Sequence, residues 1–198
     1  MGDKIYPIGI QNFEKIRNEG YYYVDKTALI YRLVKTGSYY FLSRPRRFGK
    51  SLTVNMLQHY YDILAKDKFE ALFGDLYIGK HPTRDRNSYL VLYLNFSGIV
   101  GELHNYRKGL DAHCGTTFEN FCKIYADYLP QDTVEELRTK EGAVEQLDFL
   151  YQVCARVGQR IYLFIDEYDH FTNAILSDIE SLHRYTDETH GEGYLRAF

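Results

Sequence analysis

Gly49, Lys50 and Ser51 stand together in the string RPRRFGKSL, and residues of these types could hold a chain of phosphates. A lysine ammonium neutralises the outer phosphates, a serine hydroxyl is a ligand for Mg²⁺, and a glycine lets backbone N–H groups turn inward. The usual pattern, G-x-x-x-x-G-K-[ST], begins with a glycine where this chain has Arg44. Arg44, Arg46 and Arg47 instead add positive charge where a triphosphate would arrive. The plain alternative is a solvated basic turn ahead of a surface helix. Much later, the apolar run IYLFIDE ends in Asp166 and Glu167. Asp166 could hold Mg²⁺ directly or through water, and Glu167 could polarise an attacking water. Any strand can end in acidic loop residues, so neither motif decides alone. Both in one chain, in this order, point to nucleotide chemistry with ATP and Mg²⁺ as ligands. The residues expected at the nucleotide are Arg44, Arg46, Arg47, Phe48, Gly49, Lys50, Ser51 and Leu52. Ser51 and Asp166 are expected at the metal, and Lys50 and Glu167 in catalysis.

Such a site needs a strand to deliver the chain to the turn and a helix to begin at the lysine. Residues 39–43 (YYFLS) form a short apolar run and are expected as that buried strand. After the turn, Leu52, Met56, Tyr60 and Leu64 recur every four residues, with Leu57 and Tyr61 beside them, as one apolar helical stripe. Residues 12–20 read as a short helix capped by Asn12 and stopped by Gly20. Residues 26–37 read as a second, with Leu29, Ile30, Leu33 and Val34 on one face. Residues 89–97 (YLVLYLNFS) are nearly all apolar, as for a strand covered on both faces. Helical patterns follow, broken at Leu129 and Pro130, until the strand at 160–169. Strands alternating with helices predict an α/β fold with a mostly parallel sheet flanked by helices. Both motifs then sit at the C-terminal ends of strands, where open α/β sheets bind ligands.

The bulk composition excludes several classes. With 198 residues, one well-cored domain is expected. A net charge of −3 gives no general attraction to nucleic acid or anionic membrane. Three cysteines (Cys114, Cys122 and Cys154) form no C-x-x-C pair and fit a reducing compartment. No apolar run of about 18 residues exists to span a membrane, and the first residues lack a signal-peptide core. A cytoplasmic protein is expected. The twenty tyrosines and twelve phenylalanines, with no tryptophan, read as packing residues.

The loop RPRRFGKS, with arginine at its start, and IDEYD at 165–169 resemble the AAA-ATPase-like domain proteins of bacteria. So do IYPIGIQNFEKIRNEG at 5–20, the stretch 22–57 and FEALFGDLYIG at 69–79, and the likeness runs to about His170. The resemblance implies a P-loop NTPase of the additional-strand type. It places Lys50 and Ser51 on phosphates and Mg²⁺, and Asp166 and Glu167 at metal and water. Many such proteins carry a PD-(D/E)XK nuclease-like domain after the ATPase. The family's further core strand, with its polar sensor, is not recognisable in 170–198. The chain is therefore expected to be the N-terminal part of one such domain, its core truncated after the Asp166 strand and without the nuclease region. Self-association or a protein partner could fill the sheet, and nucleic acid would be reached only through an absent domain.

Other residues draw weaker readings. DEYD also spells a helicase box, without other helicase elements; Asp169 is better read as a helix cap. His113, Cys114 and Cys122 fit no common zinc spacing. His59, His81, His104 and His183 read as surface residues. Asp25 reads first as a cap for the following helix and second as part of a base or ribose site, with YPIGI at 6–10 against the base. Three functions compete: an Mg²⁺-dependent ATPase module, a non-hydrolysing nucleotide switch, and a polyanion scaffold built on Arg44, Arg46, Arg47 and Lys50. The net charge counts against the last.

Overall fold

Two compact units divide the chain, one running through Val91 and one beginning at Leu92. The computed structural model describes residues 5–36, 39–43, 48–98 and 106–168. In the first unit, α1 (Phe13–Asn18) starts where the Asn12 side chain accepts the Lys15 N–H at 2.7 Å. Six residues cannot hold a helix in water by themselves, and tertiary bonds hold this one. Phe13 N–H donates to Asn55 Oδ1 at 2.7 Å, and Arg17 Nε donates to the Leu72 carbonyl at 2.8 Å. The Phe13 ring lies 5.0 Å from Phe73 and 5.4 Å from Tyr23, so the aromatic supply goes into packing here. In α2 (Ala28–Thr36) only Ile30 is fully buried, a narrower stripe than the spacing predicts.

The helix expected after the basic turn is α3 (Lys50–Tyr61), which buries Met56, Leu57, Tyr60 and Tyr61. Leu64 does not continue its stripe. It lies half-exposed in a 3₁₀ turn, Ile63–Lys68. Asp62 stops the helix by adopting an extended ψ of 123°, accepting the Leu64 N–H with its own side chain, and bridging to Tyr89. A helix leaves its last four carbonyls without internal partners, and here each is satisfied. Asp62 N–H takes Gln58 O, Asn87 Nδ2 takes His59 O, Asn87 N–H takes Tyr60 O, and Tyr89 N–H takes Tyr61 O. Asn87 Nδ2 also reaches Asp62 O at 2.7 Å. To do this Asn87 adopts φ +46°, a region asparagine tolerates better than most residues. Two short helices follow, α4 (Phe69–Phe73) and α5 (Tyr77–Lys80). Gly79, within α5, is required because a Cβ there would overlap the Phe73 carbonyl group that ends α4.

Residues 39–43 are not the buried strand expected. They form no strand, and Tyr39 and Phe41 are exposed. An apolar run becomes a buried strand only beside backbone partners, and the sheet of the described residues consists of two other strands. The Tyr40 hydroxyl instead donates to the Leu33 carbonyl of α2.

Those strands are β1 (Leu90–Asn95) and β2 (Ile161–Asp166), paired in parallel. Burial along β1 alternates rather than covering both faces: Leu90, Leu92 and Leu94 are buried, while Val91, Tyr93 and Asn95 are half-buried. In the second unit, α6 (Tyr106–Ile124), α7 (Thr133–Arg138) and α8 (Gly142–Arg156) make the crossover a parallel pair requires. The expected break at Leu129 and Pro130 separates α6 from α7. α6 packs on α7 and α8 through Leu110, Cys114, Phe118 and Cys122, with Leu150 and Cys154 buried on α8. Burial pushes the Cys114 and Cys122 thiols up to about 12, and Cys154 to about 11. These are inert core residues. The described chain is α/β, as the alternation of elements predicts.

Candidate functional site

In the first unit, Gly49 turns the chain into α3 with φ +79° and ψ +24°, the left-handed region that glycine enters without strain. The turn is closed by Thr53, whose N–H and hydroxyl both donate to the Gly49 carbonyl at 2.9 Å. Lys50, Ser51 and Leu52 occupy the first turn of the helix, and that turn carries no acidic residue. First-turn N–H groups point along the axis out of the helix, and the dipole adds partial positive charge there. A helix end of this kind can hold an anion, and this one carries a lysine and a hydroxyl. Phe48, just ahead, is exposed. Arg44, Arg46 and Arg47 lie outside the described residues.

In the second unit, Asp166 ends β2 and is buried. Its Oδ1 accepts the Glu167 N–H at 2.9 Å, and its Oδ2 accepts the Tyr93 hydroxyl at 3.1 Å. Asn95 Nδ2 donates in turn to the Tyr93 oxygen at 3.4 Å, and Asn95 Oδ1 accepts the Ser97 N–H at 2.9 Å. Burial, and next the charge of Asp166, push the Tyr93 phenol up to about 12, so it stays a donor. Glu167 holds φ +55°, an uncommon conformation for a glutamate. Such backbone strain gathers at functional positions. Asp169 lies outside the described residues.

Tyr93 and Asn95 carry no motif. The signal available in sequence was the alternation in LVLYLN, which sets these two polar-tipped residues on the face opposite Leu92 and Leu94. That they meet Asp166 depends on β1 pairing with β2, which spacing does not reveal.

The remaining candidates sort as follows. Asp25 is structural: Oδ1 accepts the Thr27 N–H and hydroxyl at 2.8 and 2.7 Å, and Oδ2 accepts the Tyr77 N–H at 2.8 Å. Thr27 is fully buried, and its hydroxyl accepts the Ile78 N–H at 3.1 Å. Burial alone would raise the Asp25 carboxyl, but the Thr27 and Tyr77 bonds outweigh it and hold it below its ordinary 3.8. Asp25 thus caps more than the helix after it, since it also starts α5. His59 is not the surface residue expected: it is half-buried near the Phe13 ring, and desolvation pulls its pKa down. His81 is exposed, while His104 and His183 lie outside the described residues. Tyr6 packs on Tyr22 at 5.4 Å with both rings partly exposed, and Ile8 is exposed. No cluster of three His, Cys, Asp or Glu side chains forms among the described residues, and no helix there is long and apolar enough to cross a membrane.

The sequence profile of the family described as predicted AAA-ATPase matches residues 7–198. The chain is 36% identical over 170 residues to an uncharacterised protein in the vnfD 5' region of Azotobacter chroococcum mcd 1. That match covers 85% of this chain and 30% of the Azotobacter protein, so the chain spans about a third of that relative. No solved structure matches.

Proposed function

Because this chain belongs to the predicted AAA-ATPase family, we propose that it is an ATP-binding, Mg²⁺-dependent P-loop module of the additional-strand type. The observation that carries the reading is the left-handed Gly49 turn feeding Lys50 and Ser51 into the first turn of a twelve-residue helix without acid there. Lys50 neutralises the outer phosphates, and the N–H groups of the first turn hold the inner ones. Arg44, Arg46, Arg47, Phe48 and Leu52 flank the nucleotide. Arg44 in place of the first glycine is a variant of the loop.

Ser51 and Asp166 are the residues that would hold Mg²⁺. The donor chemistry fits: a serine hydroxyl and a buried aspartate carboxylate are the hard oxygens Mg²⁺ takes. Bound there, the cation would offset charge developing on the phosphates. Glu167 accepts a proton from the attacking water. Turnover powers or gates an attached or partner activity, protein or nuclease, in the longer proteins of the family. The compartment is the cytoplasm, which suits three buried free thiols.

The test is a calorimetric titration of Mg·ATP into the protein and into Lys50→Ala, with phosphate release followed in parallel. Binding lost in Lys50→Ala supports the loop; equal binding overturns it. Glu167→Gln is expected to bind and not to release phosphate. A parent protein that binds without releasing phosphate is a nucleotide switch rather than an ATPase.

A further inference from the structure

We propose that Tyr93 is a positioning residue for Asp166, holding its carboxylate in the one orientation that Mg·nucleotide binding uses. The inference rests on the reading of Asp166 as the metal-holding carboxylate and adds a residue to it.

An aspartate carboxylate rotates through a broad, two-fold torsional well when nothing holds it. Here each oxygen has its own donor. The Glu167 N–H fixes Oδ1 at 2.9 Å, and the Tyr93 hydroxyl fixes Oδ2 at 3.1 Å. A hydroxyl could point its proton elsewhere, but Asn95 prevents that. Its Nδ2 donates into the Tyr93 oxygen at 3.4 Å, leaving the phenol proton for Asp166. Asn95 is itself oriented, because its Oδ1 accepts the Ser97 N–H at 2.9 Å. The relay therefore runs from the backbone at the end of β1, through two side chains, to the carboxylate at the end of β2. The pairing of the two strands sets its length.

Each carboxylate oxygen has two lone-pair sites, so one hydrogen bond to an oxygen does not by itself use up its capacity for a cation or the cation's water. Partners that orient a metal-holding carboxylate typically change metal affinity by 10–100-fold when removed.

The test is Tyr93→Phe, which keeps the ring and deletes the donor. A fluorescent ATP analogue is titrated at rising Mg²⁺, and again in EDTA, with thermal melting alongside. The Mg²⁺ needed for half-maximal binding is expected to rise about tenfold, with binding in EDTA unchanged. An unchanged Mg²⁺ midpoint overturns the proposal. So does an equal loss in EDTA, which is the mark of general damage. Should Tyr93→Phe fail to fold, Asn95→Ala frees the phenol proton and is expected to shift the midpoint in the same direction; no shift there also overturns it. A parent protein whose binding is indifferent to Mg²⁺, or absent, removes the reading of Asp166 itself and takes the proposal with it. The two failures are thus told apart by the parent.

Discussion

Replacing Gly49 by alanine is expected to harm nucleotide binding more than folding. Gly49 holds φ +79° and ψ +24°, and a Cβ built on it meets no atom within 4 Å. Steric clash with neighbours therefore contributes nothing, and the effect is torsional. A left-handed backbone costs an L-residue about 1–2 kcal/mol. In the folding equilibrium, alanine also stiffens the unfolded chain, which returns about 0.4–1 kcal/mol. The net loss of stability is then between about 0 and about 1.6 kcal/mol. Binding has no such offset, since the loop is compared with itself in the folded protein. If alanine relaxes the turn, nucleotide binding must restore it, and the full ~1–2 kcal/mol appears as a loss of about 5- to 30-fold in affinity. Gly49→Asn is the control, because asparagine visits the left-handed region readily, and it is expected to recover most of the loss. Calorimetry with Mg·ATP and urea denaturation of the three proteins make the comparison. Alanine binding as tightly as glycine, or asparagine as poorly as alanine, would refute the claim that the turn's backbone shape is what holds the phosphates.

Gly79→Ala is a different case, since its Cβ would overlap the Phe73 carbonyl; overpacking against backbone should destabilise by about 3 kcal/mol in urea denaturation. Asn87→Ala removes the Nδ2 donor to His59 O and Asp62 O in a part-buried turn; Asp62 O keeps the Ala65 N–H at 3.1 Å, so the loss falls on the His59 carbonyl and should cost about 1–3 kcal/mol by the same assay. Asp25→Asn should flatten the acid side of the stability profile. The folded Asp25 carboxyl lies below its ordinary 3.8, so it stabilises the protein above that pH and the contribution fades as pH falls through the folded value. Thermal melts between neutral pH and the acid limit will show an acid decline less steep in the variant; an identical profile would exclude the capping role.

The readings that survived the structure were local ones. Asn12 capping α1, the break at Leu129 and Pro130, and the helix begun at Lys50 each follow from a few adjacent residues. What failed needed information from elsewhere in the chain. The apolar run at 39–43 has the composition of a strand, but pairing decides, and the described sheet is made by β1 and β2. Leu64 was placed on the α3 stripe by its spacing, while Asp62, a stop residue in plain view, ended the helix two positions earlier. Asn87 and Tyr93 were unreadable for a further reason. Each acts on a segment 25 or more residues away, and ordinary residue types at ordinary spacing do not announce such reach. Asp25 sits between these cases, because its cap on Thr27 is local and its bond to Tyr77 is not.

The first unit's hydrogen-bond ties have a consequence for the order of events at synthesis. Phe13 to Asn55, Asp25 to Tyr77, Thr27 to Ile78 and Asn87 to His59 all close within residues 13–87. None waits for a residue beyond Val91, where the unit ends. Chains emerge from the ribosome N-terminus first, and units that close on themselves fold as they emerge. Sequence position therefore becomes time. The Gly49 turn and the helix behind it can be assembled once Asn87 has emerged, before Asp166 is added.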